Sequence, residues 1–284
     1  MRMHKIFITA CVASLAVNSY SQCVLSVNGE RGNILKPFTE TLPWIKVPCD
    51  INSKKWKNYT DPKLLKSVNG EYSVFSLNGL AGKTKVISID TTDDGGPYCG
   101  PYIKFSSPFP ESDELYAVRN NWNVQPRPVS ILSNANPAYE QAIKSILEQK
   151  AELKNSKVVI KKIIKTDLDG DKKDEVIIQA TNHPDIYNPA KGDYSLVIVR
   201  HIVNEKLVTD ILDFQIQDHN CGDVNDGASP CWLPQYNISA ILDLNGDGTV
   251  EIIITDKTHE GEGITVYELT PEGLKAVLEW GCGV

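Results

Sequence analysis

Short apolar runs separated by Pro, Gly and Asn dominate the first half of the chain. Between about residues 23 and 133 these runs have the length of strands, and breaker residues bound each of them. The clearest runs cover residues 72–77, 85–89, 115–118 and 128–132. The pattern predicts an N-terminal β-rich region over residues 22–133.

A helical spacing follows this region. Asn136 and Pro137 provide an N-cap and a first-turn proline. Apolar residues then recur on one helical face, namely Tyr139, Ala142, Ile143, Ile146 and Leu147. The spacing predicts one amphipathic helix of about four turns that ends near Lys154, and with it a second domain over residues 134–284.

The chain repeats one pattern of apolar and polar positions after the helix. Each copy has an apolar strand, an acidic loop, a second apolar strand and a hairpin, over residues 157–216 and 237–280. The runs 176–178 and 252–254 are continuously β-branched, which is typical of central strands covered on both faces. We therefore expect a mainly β (α+β) fold: the N-terminal β region, the helix, and two blade-like four-stranded repeats in an incomplete propeller-like arrangement.

Aligning the two copies places oxygen-bearing side chains at positions 1, 3, 5 and 9 of both acidic loops. These are Asp167, Asp169, Asp171 and Glu175 in the first loop, and Asp243, Asn245, Asp247 and Glu251 in the second. The spacing suits a hard cation, because alternate short side chains of a tight loop point inward and the carbonyl at position 7 adds an oxygen. Calcium accepts about six to eight such oxygens without strict geometry, so we expect Ca²⁺ rather than Mg²⁺.

The loops do not have the EF-hand pattern. An EF-hand has a glutamate at position 12 and a helix after the loop, whereas position 12 is Ile178 in one copy and Ile254 in the other. The loops resemble instead the FG-GAP or VCBS-type calcium loops of integrin-like β-propellers and many exported bacterial proteins. The resemblance implies two calcium sites, with the eight side chains above and the main chain of Lys173 and Thr249 as ligands.

Two positions depart from that family pattern. Position 9 is glutamate where aspartate is usual, which should enlarge the ring of ligands slightly. Position 6 is Lys172 in the first loop and Gly248 in the second. If this position needs a left-handed backbone, the lysine costs roughly 1 to 2 kcal/mol. We expect similar calcium affinities in the two loops, with dissociation constants on the order of 0.01 to 1 mM.

The first 21 residues predict a secretory signal peptide that is cleaved after Ser21. Basic residues precede an apolar run over residues 6–17, which is too short to span a bilayer. We therefore expect a secreted or periplasmic protein without a membrane span. In an exported chain, the cysteines that remain after cleavage favour disulfides, and proximity in sequence favours pairing Cys221 with Cys231.

The charge composition and the absence of known catalytic and nucleotide-binding motifs narrow the range of possible functions. With 29 basic and 36 acidic residues and a pI near 5.3, the chain lacks the basic footprint of nucleic-acid-binding proteins. It contains no nucleophile elbow, zinc-protease helix, P-loop or dinucleotide motif. We expect a non-enzymatic, exported calcium-binding module that interacts with a protein or carbohydrate ligand.

Three alternatives stay open. In the first, the two loops are acidic turns that are closed by Asx-type hydrogen bonds and bind no metal. Alternatively, the chain is an exported hydrolase acting on polysaccharide or peptidoglycan, with Asp93 and Asp94, or Glu260 and Glu262, as its acid–base pair. The third alternative is a periplasmic inhibitor or immunity-type protein that occupies a partner's site.

Overall fold

A computed structural model describes most of the chain from residue 70 onward and three short segments before it. The described residues are 24–27, 31–33, 36–37, 70–90, 102–111, 114–119, 122–151, 153, 156–219, 221 and 231–283. The predicted signal peptide, residues 1–21, and the candidate acid pair Asp93 and Asp94 lie outside them. In the described parts of the chain, no helix is long and apolar enough to cross a membrane.

Strands make up most of the described secondary structure. In chain order the elements are β1 (Val24–Val27), β2 (Arg31–Asn33), β3 (Lys36–Pro37), β4 (Gly70–Ser76), β5 (Gly79–Asp90), β6 (Tyr102–Phe105), β7 (Leu115–Val118), β8 (Ser130–Ile131), α1 (Pro137–Ala151), β9 (Ile160–Thr166), β10 (Glu175–Thr181), β11 (Tyr194–Val203), β12 (Lys206–Ile216), β13 (Gln235–Leu242), β14 (Glu251–Lys257), β15 (Gly261–Thr270) and β16 (Gly273–Gly283).

These strands form three antiparallel sheets, which confirms the mainly β class. The N-terminal sheet has the order β1-β7-β4-β5-β6-β2. The first-repeat sheet has the order β12-β11-β10-β9-β8, and the second-repeat sheet has the order β13-β14-β15-β16-β3. The edge strands β1 and β2 of the N-terminal sheet also lie close to each other, so this sheet curves into a half-barrel.

Each repeat contributes four consecutive strands that pair as an antiparallel meander. Strands β9 to β12 pair in sequence order, and so do strands β13 to β16. One strand from the N-terminal region extends each meander, because β8 pairs with β9 and β3 pairs with β16. The N-terminal region therefore completes the sheets of both repeats.

The second-repeat sheet lies between the other two sheets. Ile253 on one of its faces belongs to a buried cluster with Tyr116 of the N-terminal sheet. Ile252 and Ile254 on the opposite face belong to a cluster with Ile177 of the first-repeat sheet. Both faces of β14 are thus covered, which explains why its sequence is continuously β-branched rather than alternating.

Helix α1 covers the outer face of the first-repeat sheet. The Asn136 side chain caps it, since Oδ1 accepts a hydrogen bond of 3.1 Å from the Ala138 N–H. Ile143 and Leu147 are fully buried in a cluster with Ile178 of β10. Burial of such a side chain stabilises the fold by about 1.5–3 kcal/mol, so packing rather than helix propensity fixes this helix in place.

Cys221 and Cys231 are neighbouring free thiols. The Cys221 Sγ lies 3.3 Å from the Pro189 carbonyl oxygen, and its hydrogen bond with Cys231 and its burial raise the pKa of Cys221 to about 11. The predicted Cys221–Cys231 disulfide is therefore wrong for this structure: closeness in sequence brought the sulfurs together without joining them. Cys282 is disulfide-bonded.

Candidate metal centre

Both acidic loops join the first and second strands of a meander. Loop one, residues 167–175, follows β9 and ends at Glu175, the first residue of β10. Loop two, residues 243–251, follows β13 and ends at Glu251, the first residue of β14. Because position 9 belongs to a paired strand, the sheet fixes the glutamate of each loop opposite the end of the preceding strand.

The two loops are closed by the same hydrogen bonds. In loop one the Asp167 carboxylate accepts bonds from the N–H groups of Gly170 and Lys172, at 2.7 and 3.1 Å. In loop two the Asp243 carboxylate accepts the corresponding bonds at 2.7 and 3.1 Å. Side-chain oxygens at positions 3 and 5 each accept a bond of 2.7 to 3.0 Å from the N–H two residues on. The oxygen pattern therefore sets one loop shape despite different intervening residues.

Positions 4 and 6 have positive φ angles in both loops. The angles are 84° at Gly170, 71° at Lys172, 75° at Gly246 and 94° at Gly248. Position 6 thus has a left-handed backbone in both loops, which is the condition under which the lysine is costly. A lysine in this region costs roughly 1–2 kcal/mol, so loop one keeps its shape at the expense of local strain.

Position 2 anchors each loop in the hydrophobic core. Leu168 is 0% exposed and Leu244 is 2% exposed. The N–H group of each leucine donates a hydrogen bond of 2.7 Å to Oε2 of the glutamate at position 9. The residue between the candidate ligands at positions 1 and 3 is therefore held rigidly on both its side chain and its main chain.

Three candidate ligands of loop one converge. One carboxylate oxygen from each of Asp167, Asp169 and Glu175 lies within 4.8 Å of the other two. Oxygens on opposite sides of a calcium ion are about 4.6–5.2 Å apart, because Ca–O distances are about 2.3–2.6 Å. The three oxygens are thus close enough together to share one ion of this size.

Asp171, the remaining carboxylate of loop one, has a different partner. Its Oδ2 lies 2.9 Å from the Lys173 Nζ, and the hydrogen bond with this ammonium group lowers the pKa of Asp171. Both side chains are exposed, so their ion pair contributes little to stability. Loop one therefore brings three of its four predicted side-chain ligands together and leaves the fourth paired with lysine.

Loop two contains a buried carboxyl group with an unused oxygen. Glu251 is 0% exposed; its Oε2 accepts the Leu244 N–H, whereas its Oε1 has no hydrogen-bond partner among the described residues. Burial raises the pKa of Glu251 well above its usual value, and the carboxylates of Glu268, Asp247 and Asp243 raise it further. An unpartnered buried polar group costs about 1–3 kcal/mol, and more when it is charged.

Among the other candidate ligands of loop two, Asp243 is buried, and Asn245 and Asp247 are hydrogen-bonded to each other. Asp243 is only 4% exposed, and burial raises the pKa of its carboxyl group. The Asn245 side-chain amide donates a hydrogen bond of 3.1 Å to Oδ2 of Asp247. The main chain of Thr249 donates to Oδ1 of the same aspartate at 2.8 Å. Loop two is thus the more buried of the two sites.

A segment upstream of the helix, residues 122–128, lies across both loops, and we call it the strap. The Trp122 Nε1–H donates to the Asp243 carbonyl at 2.9 Å, and the Asp243 N–H donates to the Val124 carbonyl at 2.7 Å. The Trp122 ring covers Gly246 so closely that a Cβ there would lie 2.9 Å from it. The glycine at position 4 of loop two therefore serves both the left-handed backbone and the close contact with the strap.

Arg127 of the strap binds the main chain of both loops. Its Nη2 donates to the carbonyl oxygen of Leu168 in loop one, at 2.9 Å, and to that of Gly248 in loop two, while its Nε donates to the Asp167 carbonyl. The Leu168 carbonyl also accepts a hydrogen bond of 2.8 Å from the Val250 N–H of loop two. The two candidate sites are thus joined by one side chain and one shared carbonyl oxygen.

Nothing in the sequence indicated the strap. Trp122 and Arg127 lie in a proline-containing segment that has no regular secondary structure and no apolar periodicity. A hydrogen bond from a side chain to a main-chain carbonyl also places no requirement on the residue type of the acceptor. Glu260 and Glu262, the candidate acid–base pair of the hydrolase alternative, are both exposed on the surface near the start of β15.

A second group of ionisable residues lies between the two repeat sheets and was also missed from sequence. The Tyr267 Oη lies 3.1 Å from both the Leu212 carbonyl oxygen and the Asp213 Oδ2. Burial raises the pKa of Asp213 to about 6, and it also raises the pKa of Asp256. The Asp256 carboxylate lies over Gly263, where a Cβ would be 2.3 Å from its Oδ1.

Comparisons of the chain with protein-family models, curated proteins and solved structures gave no significant match. The resemblance to FG-GAP or VCBS-type loops therefore depends on the residues and geometry of loops one and two alone.

Proposed function

We propose that the chain is an exported, non-enzymatic calcium-binding module in which loops one and two each bind one Ca²⁺ ion. The observation that carries this proposal is the unpartnered Oε1 of the fully buried Glu251. It lies in a loop with the same hydrogen bonds as loop one, where three carboxylates converge. A cation in each loop offsets both the repulsion between carboxylates and the cost of the buried oxygen.

Metal-free Asx turns explain less of the geometry. Turns of that kind account for the oxygens that accept N–H groups within each loop. They give no role to Oε1 of Glu251, and they leave Asp167, Asp169 and Glu175 repelling one another at short range. Calcium binding accounts for both features with the same ligand positions in each loop.

The proposal includes the resemblance to FG-GAP or VCBS-type repeats. It is supported by the position of both loops between the first and second strands of a four-stranded meander and by the face-to-face packing of the two repeat sheets. In this proposal, calcium stiffens the point where the strap and both repeats meet. The rigid loops around it then present a surface to a protein or carbohydrate partner outside the cytoplasm.

Calorimetric calcium titration of the mature protein tests the proposal. We expect two ions per chain, with dissociation constants on the order of 0.01 to 1 mM. Asp167→Ala and Asp243→Ala should each remove one ion, whereas Glu148→Ala on the outer surface of the helix should remove none. If the folded wild-type protein binds no calcium in the millimolar range, the proposal is wrong.

A second candidate function, an exported hydrolase, is favoured by the pair Asp213 and Asp256. Two half-buried carboxyl groups, one with its pKa raised to about 6, resemble the acid and base of a glycosidase in their chemistry. A panel of polysaccharide and peptidoglycan substrates, with wild-type protein and Asp213→Asn, tests this candidate. Turnover that disappears in the variant would support it; absence of turnover on every substrate would leave the binding module.

A further inference from the structure

The Leu168 carbonyl occupies a central position between the two proposed calcium sites. In loop one, Leu168 lies between the proposed ligands Asp167 and Asp169. Its carbonyl oxygen accepts bonds from Arg127 of the strap and from the Val250 N–H of loop two. Any ion that fixes the two aspartates therefore fixes an acceptor on which loop two depends.

The corresponding part of loop two contains a proposed ligand. The Thr249 carbonyl lies between Gly248, whose carbonyl binds Arg127, and Val250, whose N–H binds Leu168. Both neighbours of this ligand are thus tied to loop one, directly or through a single guanidinium group. These bonds, together with the packing of Leu168 and Val250 in one buried cluster, connect the two sites.

We propose that Arg127, together with the Leu168 carbonyl, couples the two sites so that calcium in one loop raises the affinity of the other. This inference rests on the proposed function. The first ion orders residues 167–169, the shared carbonyl and then residues 248–250, so the second ion meets a loop that has already lost its conformational entropy. Coupling of this kind is reciprocal and is typically about 5- to 150-fold in affinity.

Arg127 acts here as a positioning residue and not as a ligand. Its planar guanidinium group donates to three carbonyl oxygens at once, which a lysine ammonium on a flexible chain does not reproduce. Its positive charge by itself weakens calcium binding at both sites. Arg127→Lys keeps that charge and removes the fork, so it separates coupling from simple electrostatics.

A thermodynamic cycle in calcium affinity tests the coupling. The dissociation constant of loop two is measured by calorimetry with loop one intact and with loop one disabled by Asp169→Ala. The same pair of measurements is repeated in the Arg127→Lys background. The matched control is the Arg31→Lys background, whose arginine lies on β2 of the N-terminal sheet, opposite Lys104.

We expect Asp169→Ala to weaken calcium binding at loop two by about 5-fold or more in the wild-type and Arg31→Lys backgrounds. In the Arg127→Lys background this ratio of dissociation constants should fall at least several-fold towards one, and the direct bond between the Val250 N–H and the Leu168 carbonyl accounts for any coupling that is left. An unchanged ratio in Arg127→Lys, or a ratio of one in the wild type, overturns the coupling while two bound ions still support the proposed function. Absence of any bound calcium overturns both.

Hydrogen exchange provides a second test that keeps Arg127 in place. With loop two disabled by Asn245→Ala, calcium can bind only at loop one. We expect calcium to slow exchange of the Val250 amide at least several-fold, because its acceptor is the Leu168 carbonyl of loop one. If calcium protects amides within loop one but leaves the Val250 amide unchanged, the proposed coupling is wrong.

Discussion

Replacing Glu251 by glutamine should have opposite effects on the ion-free and the calcium-bound protein. The amide oxygen of glutamine still accepts the Leu244 N–H, as Oε2 of the glutamate does at 2.7 Å. The substitution also removes a fully buried acid that lies near the carboxylates of Glu268, Asp247 and Asp243. We therefore expect Glu251→Gln to stabilise the protein in EDTA and to abolish calcium binding at loop two.

The size of both effects follows from the structure and the expected affinity. One site with a dissociation constant of about 0.1 mM adds about 2.7 kcal/mol at 10 mM calcium. At about 2–4 °C per kcal/mol for a chain of this size, each site adds roughly 5–11 °C to the melting temperature. The ion-free variant should gain stability because glutamine removes the buried negative charge beside three other carboxylates; its NH2 group takes the place of Oε1 and is neutral.

The assay is thermal melting at pH 8, in EDTA and in 10 mM calcium. We expect Glu251→Gln to melt several degrees above wild type in EDTA and to show at most about half of the wild-type calcium gain. Glu175→Gln, the matched change in loop one, should also halve the calcium gain. It should raise the ion-free melting temperature less, because Glu175 is less deeply buried than Glu251 and its charge therefore costs less. A variant that melts lower in EDTA and keeps the full calcium gain would refute the reasoning.

Three further predictions concern positions outside the ligand set. Lys172→Gly should stabilise the protein by roughly 0.5–1 kcal/mol, because relief of the left-handed strain exceeds the backbone entropy that glycine adds; Lys173→Gly, at a position without positive φ, should destabilise it in the same denaturant titration. Gly246→Ala should cost more stability than Gly248→Ala, since only the former places a Cβ against the strap's tryptophan, and equal losses would contradict that contact. Because the pKa of Asp213 is raised from 3.8 to about 6, its contribution to stability is present below about pH 4 and is lost as the pH rises through about 6. Asp213→Asn should therefore be more stable than wild type at pH 8, by up to about 3 kcal/mol, and this difference should vanish near pH 4 in melts recorded across the pH range.

Local patterns in the sequence were sufficient for the strands, the helix and the acidic loops. The β-branched run around Ile253 predicted a strand covered on both faces, and two sheets do cover it. The cap at Asn136 and the apolar spacing that includes Ile143 predicted the helix, which ends at Ala151 rather than near Lys154. These features depend on neighbours in the chain, so the sequence displays them directly.

Contacts between distant segments could not be predicted in this way. Arg127 meets loops one and two through main-chain carbonyls, and any residue type supplies such an acceptor. The pairing of Asp213 with Tyr267 depends on how the two repeat sheets stack, which no local pattern specifies. The prediction of a Cys221–Cys231 disulfide was wrong because a disulfide needs a specific geometry of the two sulfurs, and closeness in sequence does not fix that geometry.

Anomalous scattering from crystals grown in calcium is the most direct test of the two calcium sites. We expect two anomalous peaks per chain, one in each loop, about 2.3–2.6 Å from the ligand oxygens. One peak should contact Asp167, Asp169 and Glu175, and the other should contact Asp243 and the buried Oε1 of Glu251. Well-ordered loops without a peak in either, at calcium concentrations of several millimolar, would contradict the proposal.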